Sequence, residues 1–92
     1  MKYFDWNAAK NELLKAERDI SFEDIVNAIN DDRVLKIGNH PNQKKYPGQK
    51  IIMVNINNYA YVVPYVEDGE KIFFKTIYPS RAATKLYIID NN

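Results

Sequence analysis

The densest group of side chains that could do chemistry lies in a segment rich in proline and glycine. His40 is followed by Lys44, Lys45, Tyr46 and Lys50. Cationic side chains grip backbone phosphates, and an aromatic ring stacks on an unpaired base. His40 adds a group that titrates near neutral pH and could act as a general acid or base. The segment therefore predicts contact with nucleic acid, although a lone histidine in such a loop is also typical of an ordinary surface residue.

A second group of candidate residues lies near the carboxyl end of the chain: Lys75, Tyr78, Ser80, Arg81 and Lys85. Arg81 is the best candidate for holding a phosphate, because its planar guanidinium meets two oxygens and keeps its charge. Lys75 could act as a base or hold phosphate, and Tyr78 could stack on a base or donate a proton. The alternatives are an arginine in a surface salt bridge, a solvent-facing lysine and a packed tyrosine ring.

The composition narrows the remaining chemistry. One His and no Cys among 92 residues exclude a disulfide framework, a thiolate metal site and a cysteine nucleophile. The carboxylates follow no recognised metal-ligand spacing, so we expect neither a metal nor a cofactor. The longest apolar runs, 51–54 and 60–66, are short, and Asp5 comes too early for a signal peptide. We therefore expect a cytoplasmic protein that does not enter a membrane.

The formal net charge of +1 conceals an uneven distribution of charge along the chain. Residues 1–32 carry four basic and eight acidic side chains, a charge of −4. Residues 33–92 carry nine basic and four acidic side chains, a charge of +5. A folded chain with this split is expected to have one basic side, which would steer a polyanion towards it.

Two helices are predicted in the acidic part of the chain. Asn7 is a suitable N-cap for a helix over 8–18, where apolar residues recur at helical spacing. Ser21 and Asp24 have the spacing of a capping box for a second helix, which should end near residues 30–32. The acidic side chains of this region are therefore expected on the exposed faces of two helices.

From residue 33 onward, β-branched and aromatic residues predict strands. Asn57 and Asn58 suit a tight type I′ hairpin turn, and residues 67–70 suit a second turn. Pro64 conflicts with a central strand position and predicts a bulge or an edge. Residues 38–48 are expected to be a long loop or two short extended pieces. The predicted strands are 34–37, 50–56, 59–66 and 71–78, with 2–5 as a candidate first strand.

Strict alternation along the last predicted strand would place its side chains on two faces. One face would carry Lys71, Phe73, Lys75 and Ile77, and the other would carry Ile72, Phe74, Thr76 and Tyr78. Trp6, Phe22, Phe73 and Phe74 are expected in the core. Tyr59, Tyr61 and Tyr65 share one face of their strand, which could line either the core or a binding surface.

Ser80 is a suitable N-cap for a short last helix over 81–87, from which Arg81 and Lys85 would project on one face. The expected fold is therefore a single α+β domain over residues 1–92. In it, two N-terminal helices pack on a three- to four-stranded antiparallel sheet that a short C-terminal helix follows.

Four pieces of the sequence, in this order, carry a resemblance to a known family. They are Phe-Asp-Trp-Asn-Ala-Ala-Lys-Asn at 4–11, Ile-Ser-Phe-Glu-Asp-Ile-Val at 20–26, the two hairpin strands, and Ser-Arg-Ala-Ala-Thr-Lys at 80–85. The order and spacing of these pieces resemble the BrnT family, toxins of bacterial type II toxin–antitoxin pairs with a RelE-like ribonuclease fold. Two positions differ from the family pattern. Arg18 stands where a histidine is common, and Ala82 replaces the second basic residue of the ending.

The resemblance implies a metal-independent endoribonuclease that lowers translation and is held inactive by a cognate antitoxin. It implies that the antitoxin carries a DNA-binding region, covers the basic surface near Arg81 and forms a higher-order complex that represses the operon. The expected catalytic residues are Arg81, Lys75, Tyr78 and His40. The expected RNA-binding residues are Lys44, Lys45, Tyr46, Lys50, Ser80 and Lys85. The alternatives are a non-catalytic RNA- or protein-binding module and a toxin whose departures have cost it activity.

Overall fold

The chain folds into a mixed α+β structure in which an open sheet carries two helices on one face. A computed structural model describes residues 2–90. The helices are α1 (Ala8–Arg18), α2 (Phe22–Asn30) and α3 (Arg81–Thr84), and α3 continues as a π-helical turn over Lys85–Ile89. The strands are β1 (Tyr3–Asp5), β2 (Val34–Asn39), β3 (Lys50–Ile56), β4 (Tyr59–Asp68), β5 (Lys71–Phe74) and β6 (Tyr78–Pro79).

Both N-terminal helices begin at the caps that the sequence predicts. The side chain of Asn7 accepts a hydrogen bond from the backbone N–H of Lys10 at 2.9 Å. The hydroxyl of Ser21 accepts from the backbone N–H of Asp24 at 3.1 Å, and the Asp24 carboxylate accepts from the N–H of Ser21 at 2.9 Å. The two predicted helices are confirmed. Their caps accept hydrogen bonds from backbone N–H groups that have no partner within the first turn of a helix.

The sheet has more strands than the sequence predicts. Its order is β1-β5-β4-β3-β2, and β6 adds a second segment beside β4. The predicted sheet of three or four antiparallel strands is wrong in two respects. The candidate strand near the amino terminus forms and pairs with β5 in parallel. The predicted strand over 71–78 is divided into β5 and β6, both antiparallel to β4.

The division of that strand lies opposite Pro64. Tyr65 pairs with Phe74 in register, but the next pair along β4 is Val62 with Tyr78, so three residues oppose two. The carbonyl of Pro64 accepts a hydrogen bond from the N–H of Lys75 at 2.8 Å, and a proline has no N–H to complete the pair. Of the bulge or edge predicted at Pro64, a bulge forms, but its extra residue lies in the partner segment 75–77 and not in β4 itself.

The bulge reverses the side-chain alternation that the sequence predicts after residue 75. Ile77 is fully buried in the core on the helix side of the sheet, with Phe74. Tyr78 pairs with Val62, which alternates along β4 with Val63 of the core, so Tyr78 faces away from the helices, on the same side as Lys75. The expectation that Lys75 shares a face with Ile77 and not with Tyr78 is wrong. Phe73, which we expected in the core, lies outside it, 5.5 Å from the Lys75 ammonium.

The core lies between the sheet and the two N-terminal helices. Four aromatic rings from β1, its following loop, α2 and β5 are stacked with centroid separations of 5.2 to 6.3 Å: Phe4, Trp6, Phe22 and Phe74. Tyr65 is buried in this core and Tyr61 packs against it. Of the two alternatives for the tyrosine face of β4, a core layer or a binding surface, the core is therefore confirmed for Tyr61 and Tyr65.

The turns and the last helix complete the scaffold. Asn57 and Asn58 both have positive φ, as a type I′ turn requires, so that hairpin prediction is confirmed. Strand β2 continues to Asn39, because Gly38 and Asn39, predicted as loop, pair with Ile51 and Lys50. The hydroxyl of Thr84 accepts from the N–H of Ala60 at 2.9 Å, which ties α3 to β4.

The helices described over residues 2–90 are all too short or too polar to cross a membrane.

Candidate nucleic-acid interface

A groove of about 540 Å³ lies on the face of the sheet that points away from α1 and α2. Pro64 forms part of its floor, and this residue alternates along β4 with Val63 and Tyr65 of the core. The volume falls within the range of small-molecule binding sites in proteins. The groove is lined by His40, Tyr46, Gln49, Pro64, Lys75, Thr76 and Tyr78.

The bulge between β5 and β6 supplies one wall of the groove. Lys75 and Thr76 belong to this short irregular segment, and Tyr78 is the first residue of β6, close after it. Arg18, at the end of α1, donates a hydrogen bond from its guanidinium to the carbonyl of Ile77 at 2.6 Å. Arg18 therefore holds the bulge from the opposite face of the sheet, directly beside Tyr78.

The loop over residues 40–49 supplies the other wall. Its two ends are joined by a hydrogen bond from the N–H of His40 to the carbonyl of Gln49 at 3.0 Å. The ring of His40 lies 4.5 Å from the ring of Tyr46, centroid to centroid. The loop thus presents an imidazole, a phenol and a carboxamide towards the bulge.

The hydrogen bonds of His40 determine where its proton lies. The Nδ1 atom accepts a hydrogen bond from the backbone N–H of Asn42 at 3.0 Å. In the neutral ring the proton is therefore on Nε2, because the accepting nitrogen must carry a lone pair. The free polar group of this imidazole is then a donor.

The charge of the groove favours an anionic ligand. Its seven lining side chains include the ammonium of Lys75 and no carboxylate. A second ammonium, that of Lys45, lies 5.4 Å from the centroid of the Tyr46 ring at the rim. Burial raises the pKa of the Tyr78 phenol, and the neighbouring Tyr46 raises it further. Tyr78 therefore stays protonated at neutral pH and can act as a hydrogen-bond donor.

The structure brings together four of the predicted site residues and leaves the others apart. His40, Tyr46, Lys75 and Tyr78 line the groove, although they come from two segments that are far apart in the sequence. Three other predicted residues are exposed but do not line the groove: Lys44, Arg81 and Lys85.

Two further predicted RNA-binding residues have other partners. Ser80 is the N-cap of α3, and its hydroxyl accepts from the N–H of Ala83 at 3.1 Å. Lys50 pairs in register with Tyr65 and so lies on the helix side of the sheet, where it forms an ion pair with Glu67 at 3.1 Å. Neither residue lines the groove.

Three lining residues were not predicted from the sequence. Gln49 and Thr76 belong to no recognisable sequence motif. The closed loop brings Gln49 to the groove, and the bulge brings Thr76 there. Pro64 gave a signal of its own, because a proline in a central strand predicts an irregularity.

Within residues 2–90, no three His, Asp or Glu side chains are grouped so that they could hold a metal ion. Comparison of the chain with protein-family models, with curated proteins and with solved structures finds no match.

Proposed function

We propose that the chain is a toxin of the BrnT type, a metal-independent endoribonuclease that inhibits translation. The observation that supports this proposal is the convergence of His40, Tyr46, Lys75 and Tyr78 on one groove without a carboxylate. These four residues were selected from the sequence for phosphate contact, proton transfer and base stacking. A groove with this chemistry suits an aromatic anion such as a nucleotide.

The groups in the groove match the demands of RNA cleavage by transesterification. The 2′-oxygen attacks the phosphorus, its proton passes to water, and the bond to the 5′-oxygen breaks. Lys75 would stabilise the charge that develops on the phosphorane oxygens. Tyr78 would donate its proton to the departing 5′-oxygen. Tyr46, with His40 against it, would stack on the unpaired base.

The proposal extends to partners and location. A cognate antitoxin would cover the basic surface near Arg81, which is exposed at the start of α3. The toxin would act in the cytoplasm, and the helices and sheet would correspond to the RelE-like arrangement. Expression of the chain without its antitoxin should then arrest growth. Because Arg81 lies outside the groove, growth arrest that persists in the Arg81→Ala variant would agree with cleavage by the groove residues alone, whereas relief of the arrest would show that Arg81 also takes part.

Incubation of the purified protein with single-stranded RNA in the presence of a metal chelator tests whether the groove residues cleave RNA without a metal. We expect products with 2′,3′-cyclic phosphate ends and a loss of rate of about 100-fold for Tyr78→Phe. Lys75→Ala should also slow cleavage. Lys71→Ala is its matched control, because Lys71 also lies over the Phe73 ring, at 5.7 Å, but lies outside the groove. Equal rates for the Lys75 and Lys71 variants would contradict the proposal.

A non-catalytic RNA-binding module is the second candidate. The observation that favours it is the position of Arg81, the side chain best suited to a phosphorane, outside the lining of the groove. In the same chelator assay, this candidate predicts that the RNA is bound but stays intact. It also predicts that Tyr78→Phe leaves binding almost unchanged, while Tyr46→Ala and Lys75→Ala weaken it, because stacking and positive charge would hold the RNA.

A further inference from the structure

The carboxamide of Gln43 is the centre of the hydrogen bonding in the loop over residues 40–49. Its nitrogen donates to the carbonyl of His40 at 2.7 Å and to the carbonyl of Gln49 at 3.0 Å. Its oxygen accepts from the N–H of Gly48 at 3.2 Å. One side chain thus uses both donors and its acceptor to join three points of the loop backbone.

The rest of the loop depends on short-range bonds within the same segment. The N–H of Tyr46 donates to the carbonyl of Asn42 at 3.0 Å, and the N–H of Lys45 donates to the Asn42 side chain at 3.1 Å. No residue of this segment is buried, so packing into the core does not fix its shape. The hydrogen bonds of Gln43 across the loop must therefore largely determine the shape of the loop.

Three groove residues belong to the loop, namely His40, Tyr46 and Gln49, and each lies at or beside a point that Gln43 joins. Gln43 binds the carbonyl of His40 itself, and Tyr46 lies between Gln43 and Gly48, whose N–H binds the same carboxamide. The bond from Asn42 to His40 Nδ1, which selects the ring tautomer, lies within the same turn. Displacement of this turn would move the imidazole and the phenol together.

We propose that Gln43 is a positioning residue that fixes the His40 tautomer and holds His40 and Tyr46 against the bulge without itself lining the groove. The effect of Gln43 on RNA binding rests on the function proposed above. Its effect on the His40 tautomer does not, since that effect follows from the hydrogen bonds of the free protein. The two consequences can therefore be measured separately.

The first measurement is the pair of imidazole nitrogen chemical shifts of His40 by NMR, in the full chain without RNA. The wild-type protein at high pH should show one protonated and one unprotonated nitrogen, the Nε2–H tautomer. Gln43→Ala should shift both nitrogens towards values averaged over two tautomers, and the amide protons of Asn42 and Gly48 should exchange faster. The urea midpoint of global unfolding should stay unchanged, because the loop lies outside the core. Asn27→Ala, which removes an exposed carboxamide from α2, is the matched control and should leave the His40 shifts unchanged.

The second measurement is the dissociation constant for a single-stranded RNA oligonucleotide. Gln43→Ala should weaken binding about five- to tenfold, and its effect should largely disappear in a protein that already carries Tyr46→Ala, because the two changes act through one ring. Additive effects would mean that Gln43 contacts RNA directly and would overturn a purely positioning role. Unchanged His40 shifts and amide exchange in Gln43→Ala would overturn the proposal altogether. A wild-type protein that binds no RNA would contradict the proposed function, while the NMR measurement still decides the role of Gln43.

Discussion

The N–H of Lys75 donates to the carbonyl of Pro64 at 2.8 Å, and no hydrogen bond returns. In a regular antiparallel pair, two facing residues exchange both bonds. Here the second bond is missing because proline has no N–H, and the chain leaves the ladder for three residues. Those residues place Lys75 and Tyr78 in one groove. The bulge that lies opposite this missing donor thus forms one wall of the candidate site.

Replacing Pro64 with valine tests whether the proline alone maintains the bulge. The valine N–H can donate to the carbonyl of Lys75, and one such hydrogen bond stabilises by about 1 kcal/mol. A regular strand would expose Ile77, whose burial stabilises by about 1.5 to 3 kcal/mol. The larger effect should win, so we expect Pro64→Val to keep the bulge. Nuclear Overhauser contacts in NMR should still place the methyl groups of Ile77 in the core with Phe74. Loss of these contacts in the variant, with Tyr78 turned towards the core instead, would show that the proline is decisive.

Arg18 should stabilise the bulge through its hydrogen bond to the Ile77 carbonyl. Replacement with methionine keeps most of the side-chain volume and removes the donor. We expect Arg18→Met to lower the free energy of unfolding by about 1 kcal/mol, less than a buried charged hydrogen bond would contribute, because Arg18 is exposed. Urea denaturation measures this change. Glu17→Ala is the control on the same helix, and a similar loss there would indicate an effect of the helix rather than of the bulge.

Asn11 joins α1 to α2 and links their stability to pH. Its carboxamide donates to Glu23 at 2.7 Å and accepts from the buried N–H of Phe22 at 2.8 Å. Asn11→Ala should therefore cost about 2 to 3 kcal/mol. The hydrogen bond from Asn11 lowers the pKa of Glu23 below its ordinary 4.5. Since the folded-state pKa is the lower one, this stabilisation is present above pH 4.5 and is lost as the pH falls through the folded-state value.

Urea denaturation over a series of acidic pH values checks the second part of that prediction. The free energy of unfolding should fall less steeply with acidification in Asn11→Ala than in the wild-type protein. Parallel pH profiles for the two proteins would mean that Asn11 does not control the ionisation of Glu23.

Two glycines should respond to alanine in opposite ways. Gly48 has φ of +77°, where an L-residue is strained by about 1 to 2 kcal/mol. A methyl group there meets no atom within 4 Å, so the cost is one of backbone conformation alone. Gly38 lies in β2, and its added Cβ would make an ordinary 3.7 Å contact with Lys36. Gly38→Ala should be neutral or slightly stabilising.

The cost at Gly48 should appear as faster amide exchange of residues 40–49 in hydrogen-exchange NMR. The Gly38→Ala variant serves as the control for that measurement. Equal protection of the loop in both variants would show that the left-handed conformation at Gly48 is dispensable.

The sequence predicted those features that neighbouring residues determine. Asn7, Ser21 and Asp24 act on backbone groups three residues away, so the starts of α1 and α2 follow from local chemistry. The turn at Asn57 and Asn58 follows from the positive φ that both residues tolerate. Each of these features needs no information from distant parts of the chain.

The features that sequence reasoning missed depend on long-range pairing. The parallel pairing of Tyr3 with Lys71 joins residues that nothing in their own surroundings connects. The face of the sheet on which Tyr78 lies depends on how the segment opposite Pro64 realigns with β4. Burial of Ile77 in the core determines that realignment. The groove combines that bulge with a distant loop. Its residues could therefore be selected by type, but their meeting could not be predicted.

The stack of aromatic rings has a spectroscopic consequence. Trp6 is the only tryptophan of the chain, and its ring lies 5.6 Å from Phe22 and 6.3 Å from Phe74. Its fluorescence therefore reports on the junction of helix and sheet, with no second indole to confuse the signal. Tyr46 and Tyr78 lie at the groove on the other face of the sheet. Selective excitation of the indole can thus follow melting of the core without a contribution from the tyrosines of the groove.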